Sequence, residues 1–147
     1  MTKPSVSHLL ASSLLDLDNE LRAGEGLKFD ATARIFEKLR LPLSQLAGPV
    51  GYSSLISRTL VLTRKKYPFL KSLDVGAQGK LEFMCDQGEF EDFQKRFEDQ
   101  ETGVELVAQL MNLLITFIGE SLTVSLLKDA WPNGSFEKVA QRIGVES

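Results

Sequence analysis

The chain has 147 residues, 43% apolar and 25% charged, with a net charge of -3. That balance fits one globular domain over residues 1–147, and excludes a disordered or fibrous chain and wholesale binding to nucleic acid or anionic membranes. One cysteine, Cys85, cannot form an internal disulfide, and Met1 to His8 lacks the features of a signal peptide, so the expected setting is the cytoplasm.

Charge is divided unevenly. Residues 1–75 carry 11 Lys and Arg against 7 Asp and Glu, a balance of +4; residues 76–147 carry 6 against 13, a balance of -7. Such a split suits halves that attract within one fold, or a protomer that docks on another. No linker rich in Pro, Gly or Ser separates the halves, so one domain is expected.

In chain order, the first helix is expected from about Ser5 to Arg22, where Leu10, Leu14, Leu17 and Leu21 make one apolar stripe and Gly24 and Gly26 end it. Asp30 can cap a second helix over 31–40, with Ile35, Phe36 and Leu39 inward. Pro42 and Gly48-Pro49 then predict punctuation, with at most one turn from Ser44 to Ala47. A third helix follows from about Tyr52 to Lys66, stopped by Tyr67-Pro68. Residues 73–88 have no sustained helical period, and Leu81 to Met84 reads as a short strand or extended chain. Phe90, Phe93 and Phe97 line one face of a surface helix over 89–99.

The longest expected element runs from Thr102 to Trp131, where Pro132 stops it. Thr102 and Glu105 have capping-box spacing, and polar residues fall in one stripe: Glu105, Gln109, Asn112, Thr116, Glu120 and Thr123. A helix wet on one stripe alone is the centre of a bundle, and those polar residues interrupt any membrane span. Ser135 can cap a last helix with Phe136, Val139 and Ile143 inward. The segment from Phe136 to Ser147 resembles the opening of a helix-turn-helix, but no recognition helix follows in the sequence, so a packing helix is expected. The expected fold is therefore all-α, an irregular bundle of five or six helices around residues 102–131.

Candidate chemistry is sparse. His8 is the sole histidine, and with one cysteine no zinc set can assemble within a chain; it reads as a surface or boundary residue. Cys85 lies among Glu82, Asp86 and Glu89, acids that oppose a reactive thiolate. The acids Glu89, Glu91, Asp92, Glu98, Asp99 and Glu101 read as a solvated helix face, not a divalent-cation loop. Glu120, beside Gly119, fits the exposed stripe better than a buried functional carboxylate. No glycine motif cradles phosphate. No catalytic residue, cofactor or metal is expected.

Two surfaces remain. Arg58, Arg64, Lys65 and Lys66 form the basic cluster, suited to the negative end of a helix dipole or to an acidic protein partner. Leu122, Val124, Leu126, Leu127 and Trp131 look too numerous for one contact face, so Leu126 and Trp131 are expected at a homodimer interface unless Gly119 bends the helix. The expected function is a non-enzymatic regulatory or adaptor protein acting through helical surfaces, with a second copy as the expected partner and neither nucleic acid nor membrane. The alternative is a helical sensor holding an apolar small molecule.

Overall fold

The computed structural model describes residues 6–21, 28–76, 80–84 and 87–131. Gly24 and Gly26, Cys85, and the expected last helix with Phe136, Val139 and Ile143 lie outside them. The described order is α1 (Val6–Leu21), α2 (Lys28–Lys66), a 3-10 turn (Pro68–Ser72), β1 (Leu73–Val75), β2 (Leu81–Phe83), α3 (Gln87–Asp99), α4 (Thr102–Ile118) and α5 (Glu120–Ala130). The fold is an all-α bundle carrying one small hairpin.

Its centre is α4. Leu106, Val107, Leu110, Met111 and Leu114 are buried, and the helix packs most extensively on α1 and α2. The expected stripe of α1 supplies Leu10, Leu14 and Leu17 to the same core, joined by Ile35, Leu39, Ile56 and Leu60 of α2. Each such side chain contributes about 1.5–3 kcal/mol on leaving water. On the buried face of α2, Thr59 and Thr63 donate their hydroxyls to the carbonyls of Leu55 and Thr59, at 2.8 and 2.7 Å. Those bonds let two polar side chains enter the core without an unmet group.

The punctuation expected at Pro42 is absent, because α2 continues through it as far as Gly48. Pro42 lacks the N–H that would bond the carbonyl of Lys38. The lost bond lies beside the exposed Lys38 and Leu41, while Leu39 and Leu43 stay fully buried and hold the turn from inside. Tertiary burial overrides the local preference here. Gly48 is the real break, at φ 81° and ψ 162°, a region open essentially to glycine alone. Pro49 then occupies the first turn of the second arm, where its missing N–H does no harm. Tyr52 ties the arms together: its buried hydroxyl donates to the Phe36 carbonyl at 3.1 Å.

The segment after α2 resolves the strand-or-coil alternative. β1 and β2 pair antiparallel, with Leu73 opposite Phe83 and Val75 opposite Leu81. A two-stranded hairpin is marginal alone, and aromatic packing supports this one. Phe83 lies 4.9 Å from Phe90 and 5.0 Å from Phe93, and Phe29 meets Phe97 edge-on at 5.3 Å.

The expected continuous helix from Thr102 to Trp131 is broken at Gly119, with φ 87° and ψ 161°. α5 packs against α4 and α2, which buries Val124, Leu126, Leu127 and Trp131 within the protomer. The polar stripe is correspondingly interrupted. Asn112, Thr116 and Glu120 are exposed, whereas Thr123 is fully buried and donates to the Gly119 carbonyl at 2.8 Å. The capping box does not form either. Glu101 precedes α4 in the left-handed region at φ 52°, without a side-chain cap, and the buried Thr102 hydroxyl has no hydrogen-bond partner. Glu105 turns instead toward α1.

Candidate functional site

The basic cluster splits once folded. Arg64 donates from Nε to the Leu70 carbonyl at 3.3 Å and from its terminal nitrogen to the Leu73 carbonyl. It therefore fastens the 3-10 turn and hairpin to α2. Lys66 stands 3.6 Å from Glu105 Oε2 and over the Tyr67 ring. Lys65 and Arg58 are exposed. Among the four, Arg64 and Lys66 have intramolecular roles.

Leu126 and Trp131, expected at a partner interface, are 9% and 3% exposed. Bending at Gly119 is the reason: α5 turns onto its own bundle, so these side chains are covered without a second copy. Lys38 lies over the Trp131 ring at 5.4 Å. The surplus of apolar surface exists, but elsewhere on the molecule.

It surrounds the two helix breaks. Leu46 and Val50 flank Gly48 and are 50% and 81% exposed; Phe117, two residues before Gly119, is 68% exposed. Between them lies a groove of about 790 Å³, floored by Leu43, Leu55 and Leu114 and walled by Leu46, Phe117 and Ile118. A depression of about 780 Å³ adjoins it, bounded by Pro49, Val50 and Val61. Ser54 and Arg58 border both. Among the described residues, Arg58 is the one charged residue lining either.

Matching geometry at Gly48 and Gly119 shapes this end. Among the described residues beyond its chain neighbours, neither glycine would meet an atom within 4 Å through an added Cβ, so the backbone conformation is what calls for glycine there. Leu46 and Phe117 are left on the rims. The sequence signals were present, since Gly48-Pro49 reads as punctuation and Gly119 as a bend. The exposed hydrophobics beside them were not legible, because periodicity does not reveal which apolar residue lacks a neighbour.

Two other depressions carry less. One of about 470 Å³ is lined by Asp30, Arg34, Glu37, Tyr52 and Lys80. Its Tyr52 hydroxyl is committed to the Phe36 carbonyl, and burial pushes that group up to about 12. Its Arg34 forks onto Asp18 of α1 at 2.7 and 3.1 Å. A second, of about 610 Å³, lies between the 3-10 turn and α3, where Arg96 pairs with Asp92 at 3.0 Å. In each, the arginine is committed to a carboxylate, Arg34 to Asp18 and Arg96 to Asp92, which leaves neither free to act on a reacting group.

His8 is a boundary residue, with its side chain 43% exposed. Its Nε2 lies 3.0 Å from Glu105 Oε2, and Gln109 donates to the other oxygen at 3.2 Å. Burial works to raise the Glu105 pKa, but the hydrogen bonds from His8 and Gln109 and the charge of Lys66 prevail and hold it below its ordinary value. This junction joins α1, α2 and α4. Among the described residues no group of three or more His, Cys, Asp or Glu is placed to hold a metal ion, and no single helix is long and apolar enough to cross a membrane. Comparison with family models, curated proteins and solved structures finds no match to this chain.

Proposed function

We propose that the chain is a non-enzymatic regulatory or adaptor protein that docks helical protein surfaces in the groove between α2 and α4. One observation carries this reading: large exposed hydrophobics, Leu46, Val50, Val61 and Phe117, border a groove with a single charge among the described residues. Soluble monomers rarely leave such contiguous apolar surface in water, and where it persists it marks an interaction site. A groove between two helices suits a third, whose apolar face enters at spacings of three and four residues.

The small-molecule alternative has one observation in its favour, the 790 Å³ volume, which lies within the usual range for ligand pockets. Ligand pockets also enclose most of their occupant. Here Leu46 and Phe117 are themselves half or more exposed, which favours a protein surface.

A photo-crosslinking residue in place of Phe117, in the full chain inside producing cells, tests the reading. The expected products are protein adducts that disappear when Leu46→Glu is added. Labelling restricted to small molecules or lipid would overturn it in favour of the sensor.

A further inference from the structure

We propose that the groove's occupant is a second copy of this chain, paired about a twofold axis so that Phe117 of each protomer enters the groove of the other and Glu120 faces Arg58 of the partner subunit. The inference rests on reading the groove as a protein-docking surface, and adds the identity and register of what docks.

Charge complementarity carries it. Arg58 is exposed and, among the described residues, is the one charge lining a mainly apolar groove. Glu120 is exposed and opens α5, two residues beyond the groove-lining Ile118 and three beyond Phe117. Neither side chain takes part in an ion pair among the described residues. An occupant of the groove must therefore bring apolar bulk with an acid beside it, and Phe117 with Glu120 three residues on has that composition.

A twofold interface uses one patch against itself, so that patch must contain a knob with a hole and a cation with an anion. Phe117 is the knob, the space over Leu43, Leu55 and Leu114 is the hole, Arg58 the cation and Glu120 the anion. Phe117, the hole and Arg58 share the groove, and Glu120 follows Phe117 by three residues across the Gly119 break. Glu120 also sits in the first turn of α5, where the helix dipole favours an acid. Gly119 sets where it stands relative to Phe117.

The register separates this interface from docking of any other helix. Opposite charges that meet across a twofold occur twice per dimer, so exchanging them restores what each single reversal removes. Full-length wild type, Arg58→Glu, Glu120→Arg and the double variant should be compared by sedimentation equilibrium at low salt. Wild type is expected to be dimeric at micromolar concentration. Each single reversal should weaken dimerisation by about tenfold or more, and the double exchange should recover to within about threefold of wild type. Both positions are exposed, so circular dichroism should show every variant folded.

A dimer indifferent to all three variants would overturn the proposal by placing the interface elsewhere. So would single losses that the exchange does not repair. A wild-type monomer at every accessible concentration would overturn it too, and protein adducts from position 117 would then leave the docking reading standing with a different occupant. Absence of protein adducts would instead remove the docking reading itself.

Discussion

Two ends of the molecule treat their apolar side chains in opposite ways. Around the hairpin, Phe29, Phe83, Phe90, Phe93 and Phe97 pack ring against ring, and Phe97 is fully buried. At the glycine-broken end, Phe117 stands in solvent beside Leu46 and Val50. Both regions are apolar, and closure separates them. The hairpin end gains a lid because Arg64 draws the chain after α2 back over the aromatic rings. At the other end α2 and α4 both stop, and no described element covers what they expose. The first arrangement builds a core, and the second leaves a surface with capacity to bind.

The contrast is broken most severely by truncating one phenylalanine from each end. Phe97→Ala should destabilise the fold by about 3–5 kcal/mol, the range for a buried aromatic that leaves a cavity. Phe117→Ala should shift it by no more than about 0.5 kcal/mol while abolishing association through the groove. Urea denaturation must be run at concentrations that keep the chain dissociated, since association would add to apparent stability. Similar losses from both substitutions would mean that Phe117 is a core residue.

Next in size are the breaks themselves. Gly48→Ala and Gly119→Ala should each cost about 1–3 kcal/mol, because the observed φ and ψ are strained for any L-residue. Steric clash contributes nothing, as no atom of the described residues beyond the chain neighbours lies within 4 Å of either added Cβ. A synthetic chain with D-alanine at position 119 discriminates: it should match wild type in thermal unfolding, where L-alanine does not. Equal loss from both enantiomers would place the effect in packing.

How far the sequence anticipated this follows the range of the interaction. The α1 stripe, the Phe90–Phe93–Phe97 face and the apolar centre at α4 were legible because helical periodicity records burial within one element. Pro42 misled since its local penalty is overridden by Leu39 and Leu43, whose contacts lie far along the chain. Glu105 offered a capping spacing, but its partner His8 is 97 positions away, beyond any motif. Leu126 and Trp131 carried the right amount of apolar surface for an interface and the wrong placement, because one glycine decides which way α5 turns. Arg58 was picked out for its charge; its neighbours Leu46 and Phe117 were not, since exposure belongs to the assembled bundle.

A smaller effect sharpens the account of the closed end. Arg64→Met should lose the bonds to the Leu70 and Leu73 carbonyls and cost about 1–2 kcal/mol. Amide exchange should quicken at Met84 and Gly76, which donate to the Ser72 and Lys80 carbonyls, while Arg58→Met leaves those amides unchanged. If both variants behaved alike, Arg64 would be acting only as a cation near the helix terminus.

The smallest expected effect concerns the junction between the two ends, where Glu105 meets His8, Gln109 and Lys66. A carboxylate held below its unfolded value releases its proton more readily in the folded state. Its contribution to stability is therefore fully present above the unfolded pKa, near about 4.3, and is lost as pH falls through the lower folded value. The size should stay below about 1 kcal/mol, because Lys66 reaches Glu105 from solvent and His8 is half exposed, so water screens both. Wild type should thus lose slightly more stability than Glu105→Gln between pH 5 and pH 3, values chosen to bracket that transition (roughly one unit either side). The difference should shrink at high salt as ionic screening grows. Parallel stability profiles for the two proteins would show that the junction holds α1 to α4 by packing alone, with Leu10 and Leu14 as the fastening and Glu105 a passive neighbour.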